Sequence, residues 1–303
     1  MTEPLFTGVG VALATQFDEA GEVDAKATAA HAAALVDLGI RAVVVAGSTG
    51  EAAALTATER VALLTEVRRA VPAGIPVIAG TGGPSARQAA ALTRDAREAG
   101  ADAVLALCPP RSNDPRRYYE AVAGAAGDLP TLAYHFPQTA PPGIPLEALG
   151  DLPVQGMKDS SADPERLLAE LEVFEQPLWV GAAVLLLMAG SLATSGPAGG
   201  AGMAGGAETA GGEGSAGSAG PPGSAGSAGG AGPPGSAGAR GVAGAILAVA
   251  NVDPEHAIAA FAGDAGAQRA LLAAHRRVRT AFPHGLKDAI ADRFGTSRFT
   301  RLG

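Results

Sequence analysis

The chain has 303 residues, enough for one α/β barrel domain of about 250 residues with additions. A formal net charge of −8 without a long basic run excludes the clustered positive surface that nucleic-acid binding requires. Hydrophobic residues make up 47%, yet aromatics are only 4% and alanine is abundant, so a core of small aliphatic side chains is expected. The first residues, Met1-Thr2-Glu3-Pro4, lack the basic start and apolar stretch of a secretory signal. The longest plain aliphatic run, Val184 to Met188, is too short to span a membrane. The single cysteine, Cys108, excludes an internal disulfide and fits a reducing compartment. It ends an apolar run, where a buried strand cysteine is favoured over a nucleophile. A soluble cytoplasmic protein is the simplest expectation. Histidines at 31, 135, 256, 275 and 284 have no metal-ligand spacing.

Apolar runs and helical periodicity alternate along the chain. Strands are predicted over Gly8–Thr15, Ala42–Ala46, Pro76–Ala79, Ala103–Cys108, Thr131–His135, Val154–Lys158, Leu178–Gly181 and Ala245–Val249. Helices are predicted between them, over Ala25–Leu38, Ala57–Ala70, Ser85–Ala99, Pro115–Ala125, Leu146–Leu149, Pro164–Phe174 and Ala183–Leu192. Asp24 precedes the first helix, and Pro84-Ser85 and Asp163-Pro164 are start signals. Helical segments follow from about Pro254 to Phe294. Eight strand–helix units with extra helices predict an α/β fold, a (β/α)8 TIM barrel with a C-terminal helical extension. The barrel is expected to be split into 1–195 and 241–303 by a low-complexity Gly-rich insert over 196–240.

From Gly196 to Gly244 every third residue is glycine, except Glu208. The period is that of Gly-X-Y collagen, so a trimerising arm is one reading. Proline is sparser than in collagen, however, and both ends must return to one barrel. An expanded coding repeat forming a flexible loop is preferred. The insert precedes the eighth strand, so it should lie on the barrel's N-terminal face, disordered, exposed and dispensable for chemistry.

There are three lysines, Lys26, Lys158 and Lys287, against nineteen arginines. Lys26 opens a predicted surface helix, and Lys287 falls in the polar C-terminal region. Lys158 ends the run Val154-Gln155-Gly156-Met157, before Asp159-Ser160-Ser161. Burial there would favour a neutral, nucleophilic amine, although a strand-end lysine can also snorkel to solvent. Gly47-Ser48-Thr49-Gly50-Glu51 and Tyr134-His135-Phe136-Pro137 likewise follow predicted strands. In a parallel barrel such C-terminal strand ends converge on the face where chemistry is done.

GSTGE, YHFP and GMKDSS, in this order and at these spacings, resemble the dihydrodipicolinate synthase/N-acetylneuraminate lyase family. The resemblance extends to the strand Phe6–Thr15, to Pro76–Gly82 and to Gly244–Asn251, nearly the whole chain outside the insert. It implies a class I, Schiff-base mechanism on pyruvate or another 2-oxo acid, with no cofactor and no metal, because a protonated imine is the electron sink. Lys158 would attack the ketone and Tyr134 would carry protons. A phenol with pKa near ~10 needs help for that, and a core tyrosine satisfying a backbone group remains the alternative. Ser48, Thr49 and the backbone from Gly47 to Gly50 would hold the 2-oxo acid's carboxylate; otherwise they are a capped strand-to-helix loop. Glu51 is read as bracing that loop. Ile246 matches a position lining the 2-oxo acid pocket, or is an ordinary core isoleucine. Gly80-Thr81-Gly82-Gly83 lacks the spacing of a nucleotide loop and reads as a tight barrel turn. His135 should face away from Tyr134, since strand side chains alternate.

Two departures bear on substrate. The synthase has an arginine shortly after the YxxP proline, whereas Gln138 and Thr139 follow Pro137 here. It also has a tyrosine pair after the fourth strand, where this chain reads Pro109-Pro110-Arg111-Ser112-Asn113. Tyr118 and Tyr119 come later, in a predicted helix. Arg111 is either a replacement carboxylate clamp or a solvated loop residue. The reading is therefore a lyase or aldolase on another 2-oxo acid. The synthase itself, a sugar-acid dehydratase and an inactive barrel scaffold are alternatives. The expected partners are a small-molecule 2-oxo acid and an aldehyde, with neither nucleic acid nor membrane. A homo-oligomer, a tetramer by resemblance, is also expected.

Overall fold

The computed structural model describes residues 3–193 and 241–302. The chain separates into two units, Met1–Thr194 with Arg240–Gly303, and Ser195–Ala239. The second unit lies outside the described residues, and so do the expectations of disorder, exposure and dispensability for the insert.

Eight parallel strands pair in chain order and close into a barrel. They are β1 (Gly8–Ala12), β2 (Val43–Val45), β3 (Val77–Gly80), β4 (Ala103–Leu107), β5 (Thr131–His135), β6 (Gly156–Asp159), β7 (Leu178–Val180) and β8 (Val242–Leu247). The ring is completed by Val9 opposite Ala245 and Gly10 opposite Ile246. Helices α1 (Ala25–Asp37), α2 (Ala57–Ala70), α3 (Ala86–Glu98), α4 (Arg116–Ala126), α5 (Leu146–Leu149), α6 (Pro164–Val173) and α7 (Leu186–Ser191) follow the first seven strands. After β8 come α8 (Pro254–Phe261), α9 (Ala265–Arg279) and α10 (His284–Phe294). This is the expected (β/α)8 barrel with added C-terminal helices.

Local sequence sets the helix starts. Asp24, Ser85 and Asp163 accept from backbone N–H groups of the first turns of α1, α3 and α6. Thr56 and Glu59 form a reciprocal capping box on α2. Pro164 and Pro254 open α6 and α8, where a missing N–H costs nothing.

Strand alternation sorts side chains into two layers. Val9, Val43, Val45, Val77, Val104, Met157 and Val180 face outward and pack under the helices. Ala12, Ala42, Val44, Ile78, Ala103, Leu105, Leu132, Tyr134, Trp179 and Ile246 fill the barrel interior. Three of these residues are alanines, and the large Trp179 lies among them, stacked on Phe6 with centroids 5.3 Å apart. A Cβ at Gly156 would come 2.7 Å from the Trp179 ring, so a glycine is needed there for the indole to fit.

Most boundaries agree with expectation to within one or two residues. β1 is shorter, ending at Ala12: the Leu13 N–H still donates to the Val44 carbonyl, but the Ala14 N–H is taken by Asn251 and Thr15 Oγ1 bonds the Gly50 carbonyl. β8 begins at Val242, three residues before the predicted start. Its glycine-rich approach hid the strand, and a register shift opposite Leu178 and Trp179 broke the alternation. The predicted helix Ala183–Leu192 is a 3-10 turn (Ala183–Leu185) followed by α7. The Val242 N–H donates to the Leu192 carbonyl, and Ala193 bridges Val242, so the chain leaves and re-enters the barrel at one point. Lys287, in the polar C-terminal region, is itself buried on α10, where its amine donates to the Thr15 carbonyl.

Candidate active site

The parallel pairing of β5 and β6 sets Tyr134 directly opposite Lys158, and both point into the barrel at its C-terminal end. Lys158 is only 4% exposed. Its Nζ lies 4.4 Å from the Tyr134 ring centroid and has no hydrogen-bond partner among the described residues. Burial alone lowers its pKa to about 7, so the amine is neutral in a large fraction of molecules at neutral pH.

Tyr134 is buried, and desolvation pushes its phenol up to about 12. Two hydroxyls oppose that rise, those of Ser160 and Ser48. Ser160 Oγ donates to the phenol oxygen at 3.4 Å. The tyrosine is thus a protonated phenol that accepts from the Ser160 hydroxyl, with the Lys158 amine over its ring. The core alternative, a tyrosine spent on a backbone carbonyl, applies instead to Tyr119 in α4, whose hydroxyl donates to the Ala106 carbonyl at 3.1 Å. Tyr118 shares the outer layer and contacts Gly83. Neither faces Lys158 from inside the barrel.

Ser48 and Thr49 lie in the turn Ser48–Gly50 that leaves β2. The Gly47 carbonyl accepts from the N–H groups of Gly50 and Ala52, at 3.0 and 3.2 Å. Thr15 Oγ1 donates to the Gly50 carbonyl at 2.7 Å, and a Cβ on Gly50 would come 2.9 Å from the Leu13 carbonyl oxygen. The turn therefore nests against the exit of β1. Ser48 is the residue of this turn that lowers the Tyr134 phenol pKa against the effect of burial, and Gly47 and Thr49 flank it. Ile246 is fully buried in the same interior layer as Tyr134. Glu51 is buried in left-handed backbone (φ 56), and its Oε2 accepts the N–H groups of Arg301 and Leu302 at 2.8 and 2.7 Å.

Two residues of the constellation were not singled out from sequence. Ser160 stands in the GMKDSS motif, but its contact with Tyr134 depends on strand pairing. Gly181 follows β7. A Cβ there would overlap Ser160 Oγ and lie 2.9 Å from Lys158 Cε, so glycine leaves the space the lysine occupies. Asn251 fastens the frame, with Nδ2 donating to the Ala12 carbonyl at 2.7 Å and Oδ1 accepting the Ala14 N–H at 3.0 Å.

The residues after Pro137 do not provide a cation. Gln138 Nε2 donates to the Ser161 carbonyl at 2.7 Å, and Thr139 caps a turn on Phe136. Arg111 is exposed, with a left-handed backbone (φ 63), and its N–H donates to the Pro141 carbonyl at 2.7 Å. Cys108 is buried, and desolvation raises its thiol to about 11, which fits a packing role.

On the outer side of β5 and β6, His135, Asp159 and Glu170 bring ligand-type atoms within 4.8 Å of one another. The Ile144 N–H donates to His135 Nδ1 at 2.9 Å, however, which leaves the proton of a neutral imidazole on Nε2. Arg166 also binds Glu170 at 2.6 Å. The group is a hydrogen-bonding cluster with a cation already in it, poorly suited to a metal. Burial lowers His135 to about 4 and raises Glu170 to about 8, so both tend to the neutral form. As expected, His135 faces away from Tyr134. No described helix is long and apolar enough to cross a membrane.

A 4-hydroxy-tetrahydrodipicolinate synthase from Synechococcus sp. strain WH7803 is 40% identical over 130 residues, covering 42% of this chain and 43% of that protein. A Halobacterium salinarum protein described as an uncharacterized DapA-like lyase is 38% identical over 164 residues, covering 52% and 54%. The chain thus spans about half the length of these curated relatives. Among solved structures, YagE is a prophage protein of the dihydrodipicolinic acid synthase family from E. coli K12, in complex with pyruvate. It aligns with a TM-score of 0.76 at 22% identity, covering 98% of this chain and 92% of that chain. Dihydrodipicolinate synthase from Aquifex aeolicus aligns with a TM-score of 0.72 at 25% identity, covering 98% and 91%. The YagE likeness speaks for the barrel alone. The profile of the Dihydrodipicolinate synthetase family matches residues 5–196, a stretch that carries the Ser48 turn, Tyr134 and Lys158 and covers more than half of the sequence. On that match the chain belongs to the dihydrodipicolinate synthetase family.

Proposed function

We propose that this protein is a Schiff-base-forming lyase of the aldolase type, acting on pyruvate or a related 2-oxo acid. The observation that carries the reading is the Lys158 amine, buried, without a hydrogen-bond partner among the described residues, and 4.4 Å from the Tyr134 ring. A lysine with its pKa lowered to about 7 has a lone pair to offer at neutral pH. Attack on the 2-oxo carbon forms a carbinolamine. Loss of its oxygen as water, with one proton supplied, leaves an iminium joined to Nζ. The iminium draws electrons from the neighbouring carbon, so a proton or a carbon–carbon bond can leave there and give an enamine. No metal is called for in this sequence of steps.

Tyr134 is the proton carrier in this reading. Its phenol is protonated at neutral pH, so it begins as a donor to the departing oxygen. Ser160 and Ser48 then face the phenolate and make its brief existence less costly. Ser48, Thr49 and the backbone from Gly47 to Gly50 hold the carboxylate, and Ile246 lines the apolar side of the pocket.

The second substrate is an aldehyde other than that of the lysine-pathway synthase. The loop after Pro137 offers the tied amide of Gln138 where that enzyme has an arginine. A homo-oligomer and a cytoplasmic setting go with this proposal. Borohydride reduction in the presence of pyruvate, followed by peptide mass mapping, tests it. A reduced pyruvate adduct on Lys158, absent from Lys158→Ala, is the expected result. A folded protein that yields no adduct with pyruvate or larger 2-oxo acids would remove the central claim.

A further inference from the structure

We infer that the segment after α10 is part of the binding machinery, and that Arg301 is a positioning residue for the turn that holds the substrate carboxylate. The inference rests on the Schiff-base reading above, and it concerns how that site is held rather than what it does.

Arg301 ties its own segment to the β1–α1 loop and to the stretch that leads into α2. Its Nε donates to the Gly21 carbonyl at 2.5 Å, in the loop between β1 and α1. One terminal nitrogen donates to the Ala54 carbonyl at 3.1 Å, and the other binds the Glu59 carboxylate at 2.7 Å, in the first turn of α2. The guanidinium lies 4.8 Å from the Phe17 ring centroid. These contacts bring the backbone N–H groups of Arg301 and Leu302 onto Glu51 Oε2.

Glu51 is the residue through which this acts. It is fully buried, its backbone is left-handed although it is not a glycine, and it directly follows the Ser48–Gly50 turn. Such a conformation persists only where surrounding contacts over-determine it. Two N–H groups on one carboxylate oxygen are charge-assisted contacts of the stronger kind. The Glu51 N–H in turn donates to the Ser48 carbonyl at 3.2 Å. On the far side, Thr15 holds the Gly50 carbonyl, and the Thr15 carbonyl is itself held by the amine of Lys287 on α10. The turn bearing Ser48 and Thr49 is therefore gripped from two sides by elements that follow the barrel. Tyr134 and Lys158 stand on β5 and β6 and receive no contact from Arg301. Loss of the brace should weaken substrate binding and leave the reacting lysine intact.

Arg301→Ala, Arg301→Lys and a control, Arg293→Ala, would be compared with the parent protein. Arg293 pairs with Glu255 at 2.5 Å and does not touch the turn. The probe is pyruvate, and the first readout is the pyruvate concentration giving half-maximal borohydride-trapped adduct. Arg301→Ala should raise it about tenfold, the order expected for losing one charge-assisted hydrogen bond, with the yield at saturation unchanged. Arg301→Lys should recover part of the loss, and Arg293→Ala should match the parent. The second readout, hydrogen exchange, needs no activity. Amides 47–52 should exchange faster in Arg301→Ala, and amides 156–160 should not. An unchanged half-saturation, or a fall in saturating yield shared with Arg293→Ala, would overturn the brace. If the parent forms no adduct, the functional reading fails, and exchange still decides the brace: equal protection at 47–52 overturns it. Should Arg301→Ala not fold, Arg301→Lys is read by the same two criteria.

Discussion

Lys158 and Lys287 are both buried, at 4% and 1% exposure, and burial pulls their amines down to about 7 and about 8. Each lies against an aromatic ring, Tyr134 at 4.4 Å and Phe17 at 4.8 Å. Their partners differ. Lys287 donates to the Thr15 carbonyl, and the charge of Glu51 draws its pKa part of the way back. Lys158 has no such bond among the described residues, and burial is the cause of its shift. A tethered amine holds two elements together, whereas an untethered one keeps a lone pair available. On the proposed reading, what sets the candidate nucleophile apart from Lys287 is burial without a partner rather than burial itself.

The largest expected effect follows from replacing each lysine by methionine. Lys158→Met should abolish the borohydride-trapped adduct, and Lys287→Met should retain it on Lys158. Stability should separate them too. The folded pKa of Lys158 lies below its ordinary value of 10.5, so the folded state binds fewer protons between about pH 7 and 10.5. Stability then rises with pH through that window, and below pH 7 the burial of the charged amine is penalised in full. Lys158→Met should stabilise the fold by on the order of 2–4 kcal/mol near pH 6, with the gain fading towards pH 10.5. Lys287→Met removes a similar penalty but strips the Thr15 carbonyl of its donor, so its gain should be smaller. Urea unfolding at pH 6 and pH 10 checks this. A larger gain from Lys287→Met would break the contrast.

Next in size is the phenol. Tyr134→Phe keeps the ring beside Lys158 and removes the hydroxyl facing Ser160 and Ser48. Turnover should fall by roughly 10²–10³, while slow adduct formation on Lys158 persists, because attack by the amine does not require the phenol. Steady-state rates together with trapping time courses measure both. Full turnover without the hydroxyl would reassign proton transfer to another group.

A smaller effect is expected at Gly181, whose missing side chain leaves room for Lys158. Gly181→Ala should lower the rate of adduct formation by about 10–100-fold through misplacement of the amine. Gly74→Ala, where no atom lies within 4 Å of the added carbon, is the matched control. Equal rates for the two variants would show that the lysine has slack the packing does not suggest.

Much of this was legible in the chain. Apolar runs broken by capped helices announced eight strand–helix units, and strands that end in GSTGE, YHFP and GMKDSS put those three motifs on one rim. The misses have physical causes. The polar surroundings of Lys287 gave no hint of its burial, because its partner is a carbonyl 272 positions away. The start of β8 was hidden in a glycine run, and the register shift there disrupted the alternation that marks a strand. Ser160 and Gly181 carry no local signal, since their roles arise only when β5, β6 and β7 lie side by side.

The sequence by itself determined the fold class, the lysine and tyrosine that face the barrel mouth, and the turn of small residues beside them. These follow from side-chain period, capping and residue type, which act over a few positions. Only the tertiary structure decided which buried lysine stays unbonded, which glycine must leave space for it, and that Glu51 is held by residues 250 and 251 positions away. Such contacts depend on how the barrel closes, and no local pattern encodes them.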